Sequence, residues 1–352
     1  MMNKENYSYQ HYFKKIINLA QKLGFEIKSH SPYLNYQYLQ TLFIYNQSLF
    51  KSQEAYIHIS GLHGVEGVAG AEIQLKLLET EGERLLKSSK GFLMIFAINP
   101  FGFHFLRRTS LENIDLNRNT GEGLAPISLT MAHRWLRPLW KSHDFQDQAR
   151  GLVQSLAVGM TKGLPTLLRL FAEGQSVEPQ GIFYSGTQMA IEIKECIRQM
   201  EPLLKQTKII NVIDAHTGLG KLFGEILFLC SGEGQQARAI FTHPLDIPGE
   251  KPDSYRGQGL LSDRFALTFP QAKLNYFVQE FGVKSTAHSF FALITENKYH
   301  WNHFGKVSEK LYLKHPIKDL FFKTYFSDNS KWKSWLQETG VKRFMEMFEA
   351  NW

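Results

Sequence analysis

The run Phe92-Leu93-Met94-Ile95-Phe96-Ala97-Ile98 contains no polar residue, and it is bracketed by Gly91 and by Asn99-Pro100. A segment of strand length that does not alternate has to be covered on both faces. That is the situation of a central strand in an α/β sheet, not of a half-solvated hairpin. The rest of the chain supplies the covering layers. Residues 7–23 place Phe13, Ile16, Ile17, Leu19, Ala20 and Leu23 at helical spacing before Gly24, and 69–86 do the same with Ala71, Ile73, Leu75, Leu77 and Leu78. Strands are predicted over 38–45, 55–60, 91–98, 209–213, 226–230 and 274–278, and further helices over 189–204, 287–299 and 332–350. This alternation predicts an α/β fold with a mixed, mainly parallel central sheet flanked by helices.

The 352 residues read as one catalytic domain, 1–352. Within it, the Gly- and Pro-broken helical patterns over 121–181 predict a helical insertion packed on one sheet edge, and 305–352 reads as a helical C-terminal extension. The start of the chain is polar, with no apolar core of a signal peptide, and no apolar stretch approaches the ~20 residues of a membrane span. Cys196 and Cys230 are the only cysteines, too few for a disulfide framework, which points to the cytoplasm. Lys and Arg outnumber Asp and Glu by 40 − 33 = 7, but they are scattered apart from Arg107-Arg108 and the stretch 310–323. Scattered charge suits small anionic ligands; it offers neither the stripe nor the module that nucleic acid requires. The expected partner is a small-molecule or peptide substrate, with no nucleic acid and no membrane, and the oligomeric state is left open.

Chemistry concentrates just past strand ends, where sites form in open α/β sheets. Ser60-Gly61-Leu62-His63-Gly64-Val65-Glu66-Gly67 presents an imidazole and a carboxylate three residues apart. That pair supplies two of the three protein ligands of an open zinc site. His216, ending Val212-Ile213-Asp214-Ala215, offers the third, and Asp214 lies on the same side of the strand to hold that imidazole. Downstream of Arg107-Arg108, the loop Asp115-Leu116-Asn117-Arg118-Asn119 combines a guanidinium fork with amide donors, a set suited to carboxylates. His300 and His303 have ligand-like spacing but no third donor near them, and they read as structural.

His63-x-x-Glu66, then Asp115-Leu116-Asn117-Arg118-Asn119, then Asp214-Ala215-His216, in this order, resemble the zinc carboxypeptidase superfamily. That group includes carboxypeptidase A and the aspartoacylase and succinylglutamate desuccinylase deacylases. Arg107-Arg108, the segment Gly181-Ile182-Phe183-Tyr184-Ser185-Gly186 and Gln279-Glu280-Phe281-Gly282 are similar to a bacterial carboxypeptidase-like branch known mainly as a domain of unknown function. The resemblance implies His63, Glu66 and His216 as ligands of one Zn²⁺, and Asn117 and Arg118 as the substrate-carboxylate site. It implies one of Arg107 and Arg108 at the scissile carbonyl, Arg107 aligning slightly better, and Tyr255 as a substrate-binding tyrosine. Glu280 would be the general base. The residues around Glu280 agree, since a carboxylate ending a strand among apolar neighbours has a raised pKa; Glu296, on the following helix, is the alternative.

The expected activity is zinc-dependent hydrolysis of an amide (peptide) bond in a substrate with a free carboxylate, carboxypeptidase-like. A deacylase of small N-acyl amino acids is the second version. A binding protein that keeps the fold without turnover is the rival of a different class. A nucleic-acid role, suggested only by the net charge, would show steeply salt-dependent affinity.

Overall fold

Strands β1 (Glu26–His30), β2 (Thr41–Tyr45), β3 (Glu54–Ser60), β4 (Gly91–Phe96), β5 (Ile209–Thr217), β6 (Glu225–Ser231), β7 (Leu245–Asp246) and β8 (Lys273–Phe281) join into one sheet. Their order is β1-β2-β4-β3-β5-β8-β6-β7. The computed structural model describes residues 4–119, 137, 174–247, 250 and 259–352. The expected insertion at 121–181 therefore lies outside the described residues, apart from 137 and 174–181.

The middle of the sheet, β4-β3-β5-β8, is parallel, while β1, β2 and β6 run antiparallel to their inner neighbours. The fold is thus α/β with a mixed sheet, as the sequence predicts. β4 is buried at every position, and so are the first eight residues of the pattern behind the prediction, 91–98. The strand itself stops at Phe96, because Ala97 takes a left-handed φ of 58° and turns the chain.

Helices α1 (Tyr9–Leu23), α2 (Gly67–Lys87), α3 (Pro100–His104), α4 (Ile191–Leu204), α5 (Gly234–Ile240), α6 (Leu261–Thr268), α7 (Thr286–His303), α8 (Glu309–Lys314), α9 (Pro316–Tyr325) and α10 (Ser330–Glu349) cover the two faces. Alternation along each strand separates two apolar layers. Tyr56, Phe92, Met94, Phe96, Ile213 and Phe277 pack with α1, α2, α7, α9 and α10, whereas Ile57, Ile59, Leu93, Ile95, Val212 and Tyr276 pack with α4 and α6. The expected strand over 38–45 begins at Thr41, and the expected helix over 287–299 runs on to His303. No described helix is long and apolar enough to cross a membrane.

The part of this architecture that positions a site is the aligned carboxyl ends of three adjacent strands. Ser60 on β3 pairs with Ala215 on β5, and His216 on β5 pairs with Glu280 on β8. Neighbouring strands lie about 4.8 Å apart, so whatever these ends present meets in one place.

Candidate metal centre

After β3 the chain turns sharply through a short 3₁₀ turn, Gly64–Glu66, into α2. The turn is seated on α3 so closely that a Cβ built on Gly64 would lie 2.0 Å from the carbonyl carbon of Gly102. Only glycine fits there, and the fit fixes His63 and Glu66 on either side of it. Glu66 stands at the start of a 21-residue helix, where the exposed N–H groups favour a carboxylate.

His63, Glu66 and His216 converge. One candidate ligand atom from each lies within 4.8 Å of the others, and all three residues are buried. Glu66 Oε1 is 3.0 Å from His63 Nδ1, Glu66 Oε2 is 3.0 Å from His216 Nδ1, and the two Nδ1 atoms are 3.1 Å apart. The far nitrogens are held by aspartates. His63 Nε2 lies 3.2 Å from Asp115 Oδ1, and His216 Nε2 lies 3.0 Å from Asp214 Oδ2, which also accepts from the Tyr276 hydroxyl at 2.9 Å. His63 Nε2 bonds to Asp115, and His216 Nε2 lies at ion-pair distance from Asp214 without hydrogen-bond geometry, so both Nδ1 atoms face each other and Glu66. That arrangement is unfavourable by itself and is what a cation relieves.

The charge count agrees. In this cluster of ion-pair contacts Glu66, Asp115 and Asp214 stand with one guanidinium, Arg108. With neutral imidazoles, two negative charges remain, enough to balance a divalent ion. Burial alone would raise the Asp115 carboxyl, but Arg108 and His63 hold it well below the usual range. Burial opposes charge on His216 too, yet Asp214 and Glu66 hold that ring well above its ordinary value. The site attracts positive charge.

The two arginines separate. Arg108 donates from Nη1 to Glu66 Oε1 at 3.1 Å and from Nε to Asp115 Oδ2 at 2.9 Å, with the Phe183 ring 5.4 Å from its Cζ. Arg107 turns the other way. It donates to Glu296 Oε1 at 3.2 Å, to Asn113 at 2.9 Å and to Asn297 at 3.4 Å. The slightly better alignment of Arg107 is therefore not matched by its position, and Arg108 is the arginine at the cluster.

The same contacts separate the two glutamates. Glu296 is occupied by Arg107 and by Lys318 Nζ at 2.5 Å. Glu280, the penultimate residue of β8, lies beside His216 on the same face of the sheet, and its Oε2 is buried with no partner among the described residues. Burial raises its pKa to about 7, with Glu66 adding to the effect and His216 opposing it. A carboxyl poised there suits a group that takes a proton and gives it back.

Arg118 and Asn117 lie in a short 3₁₀ turn, Leu116–Arg118, directly after Asp115. Arg118 Nη1 donates to the Asn117 carbonyl at 2.7 Å, and Asn117 Oδ1 accepts from the Leu261 N–H at the start of α6 at 3.1 Å. Asn117 thus spends its acceptor on the fold. Tyr255 lies outside the described residues. His300 accepts from or donates to the Tyr312 hydroxyl at 2.9 Å, and His303 stacks on Tyr299, so neither faces the cluster. Sequence reasoning missed Asp115 as the partner of His63. The signal was available in an acid placed two residues before Asn117, but its target becomes visible only once β3 and the 115–119 loop are brought together.

A family model described as "Protein of unknown function (DUF2817)" matches residues 6–337. No curated protein matches the sequence. Among solved structures, the chain is similar to carboxypeptidase A from Helicoverpa armigera, at 13% identity over 96% of this chain and 73% of that one, with a TM-score of 0.46. It is similar to bovine thrombin-activatable fibrinolysis inhibitor, at 13% identity over 96% and 97%, TM-score 0.46. It is also similar to the murein-tripeptide amidase of Escherichia coli O157, at 15% identity over 79% and 92%, TM-score 0.39.

Proposed function

This chain belongs to the DUF2817 family, whose description assigns no chemistry, and from the site itself we propose that it is a zinc-dependent hydrolase cleaving an amide bond in a substrate with a free carboxylate. The observation that carries the reading is the convergence of His63, Glu66 and His216 beside an unpartnered, high-pKa Glu280. Two nitrogens and one carboxylate, each imidazole backed by an aspartate, form the donor set of an open catalytic zinc site. Zinc bound there would acidify a water and polarise the scissile carbonyl.

The protein's own residues divide the remaining work. Glu280 takes a proton from the attacking water and returns it to the departing amine. Arg108 donates to the carbonyl oxygen as negative charge builds on it, which in a water-poor site is worth far more than in bulk solvent. Asn117 Nδ2 and Arg118 receive the substrate carboxylate, fixing which amide is presented. The Asp115–Asn119 string, with its guanidinium and amide, supports a substrate carrying a free carboxylate, a feature that the carboxypeptidase and deacylase versions share. A cytoplasmic setting belongs to the same reading and is supported by two cysteines that are free in the structure.

The test is a hydrolysis screen of C-terminally free peptides and N-acyl amino acids on the metal-loaded protein, with and without chelator, alongside elemental analysis. One zinc per chain and chelator-sensitive release of a C-terminal residue are expected. Purified protein with no metal, or cleavage indifferent to chelation, would remove the basis of the reading. The aspartates give a second, quantitative check. Asp115→Asn and Asp214→Asn are each expected to weaken zinc binding by about 10–100-fold, because each loses the charged partner that orients an imidazole. Competition against a chelator of known affinity reads this directly, and wild-type affinity in both variants would argue against these imidazoles as ligands.

A further inference from the structure

Helix α9 delivers to this centre a side chain that no sequence motif singles out. Tyr325, the last residue of α9, is buried, and α9 itself packs against the Gly64–Glu66 turn. The Tyr325 ring lies against Gly218, two residues beyond His216. Gly218 has a φ of 116°, and a Cβ built there would sit 2.8 Å from Tyr325 Cε1. The chain leaving the second imidazole therefore takes a backbone conformation open to glycine and leaves the space a phenol ring occupies.

The hydroxyl of that phenol is poorly served by the fold. Its hydrogen bond goes to the Ser289 carbonyl at 3.4 Å, well beyond the 2.7–2.8 Å usual for O–H···O. Buried tyrosine hydroxyls normally find a better partner. Glu280 Oε2, one of the groups in whose field the phenol lies, is itself buried and unsatisfied among the described residues. A buried carboxylate oxygen without a partner calls for an explanation, and a substrate that seats against Glu280 and draws the Tyr325 hydroxyl off its long bond supplies one. The phenol lies in the field of Arg108, Glu66, Glu280 and Asp115, and burial is the main cause that pushes its pKa above the ordinary value. Burial disfavours its ionised form, which suits a hydrogen-bond donor.

We propose that Tyr325 is a catalytic residue whose hydroxyl donates a hydrogen bond to the scissile carbonyl oxygen as it becomes the oxyanion, sharing that charge with Arg108. The role rests on the hydrolase reading above. In the step, the water oxygen bonds to the carbonyl carbon while Glu280 takes the water proton. The carbon–nitrogen bond then breaks, and that proton passes to the leaving amine. Tyr325 keeps its own proton throughout and contributes a hydrogen bond that strengthens with the developing charge.

Tyr325→Phe in the full, zinc-loaded chain tests this, using the peptide or N-acyl amino acid that the wild type cleaves best. The substitution removes one oxygen whose bond to Ser289 is long, so the melting temperature and zinc content are expected to stay at wild-type values. kcat is expected to fall about 100-fold, as for loss of one oxyanion donor, with KM unchanged. A phenylalanine variant with wild-type kcat overturns the role. So does a loss of activity accompanied by lost zinc or a lowered melting temperature, which would mark Tyr325 as structural. Wild-type zinc protein inactive on every substrate of the screen would overturn the hydrolase reading and this role together, an outcome distinct from an active variant.

Discussion

Replacing Glu280 by glutamine is expected to lower kcat/KM by about 10²–10⁴-fold, without loss of zinc. The amide keeps the size and the hydrogen-bonding outline of the carboxyl but cannot accept a proton. Glu280 is not one of the three converging donors, so the metal should stay. The pH profile carries the sign. The base is the carboxylate, so activity rises with pH as Glu280 ionises, and burial places that ionisation at about 7. A bound divalent cation favours the ionised form, so the acid limb of kcat/KM falls at or below that pH, and it should vanish from the residual activity of the glutamine variant. Stopped or initial-rate assays across pH 5–9, with zinc measured on the same samples, make the comparison. A glutamine variant that retains both wild-type rate and wild-type acid limb would move the base elsewhere. A wild type with no hydrolysis to lose would instead favour the binding-protein alternative.

How much of this was legible before the structure depends on whether the signal was local. β4 and the His63–Glu66 turn were readable because an unbroken apolar run and a glycine-punctuated loop have local meanings. The pairing of His63 with His216, across 153 residues, was readable from their shared position just past strand ends, and the order of motifs added to it. β1 escaped because Glu26–His30 is an edge strand with polar, partly exposed positions and no apolar alternation to betray it. α3 escaped because five residues are too few to show a period. Arg107 and Arg108 could not be told apart because adjacent loop residues diverge according to backbone conformation. Here Leu106 adopts a left-handed φ of 48°, which sends one guanidinium down to Glu296 and the other up to Glu66. Tyr325 escaped for a related reason: it reaches the centre only through the packing of α9, and nothing in its own neighbourhood marks it.

The divergence of those arginines leads to the largest expected effect on stability, that of removing the Glu296 carboxylate. Glu296 is 1% exposed and stands between two buried cations, Arg107 and Lys318, each fully excluded from solvent. Lys318 gains the face of the Tyr312 ring, 4.3 Å from its Nζ, and the Arg107 fork gains the amide oxygens of Asn113 and Asn297. None of these replaces a counter-ion. Glu296→Ala leaves two positive charges in the interior, and breaking a buried pair in this way costs about 3–5 kcal/mol. An exposed pair such as Lys87–Glu83 contributes well under 1 kcal/mol by comparison. The loss should also reach the metal centre. Three successive carbonyls hold the arginine loop: Leu106 accepts from Lys318 Nζ at 3.3 Å, Arg107 from the Val65 N–H at 2.7 Å and Arg108 from the Gly64 N–H at 3.2 Å. Lys318 without Glu296 no longer fixes the strained Leu106, so Arg108 and the His63–Glu66 turn lose their register together. Urea unfolding of Glu296→Ala should therefore show the full destabilisation, and hydrolysis by the fraction still folded should be reduced as well. Wild-type stability in this variant would mean that water enters and solvates the two cations, and the link from Lys318 through the arginine loop to the imidazoles would then have no energetic content.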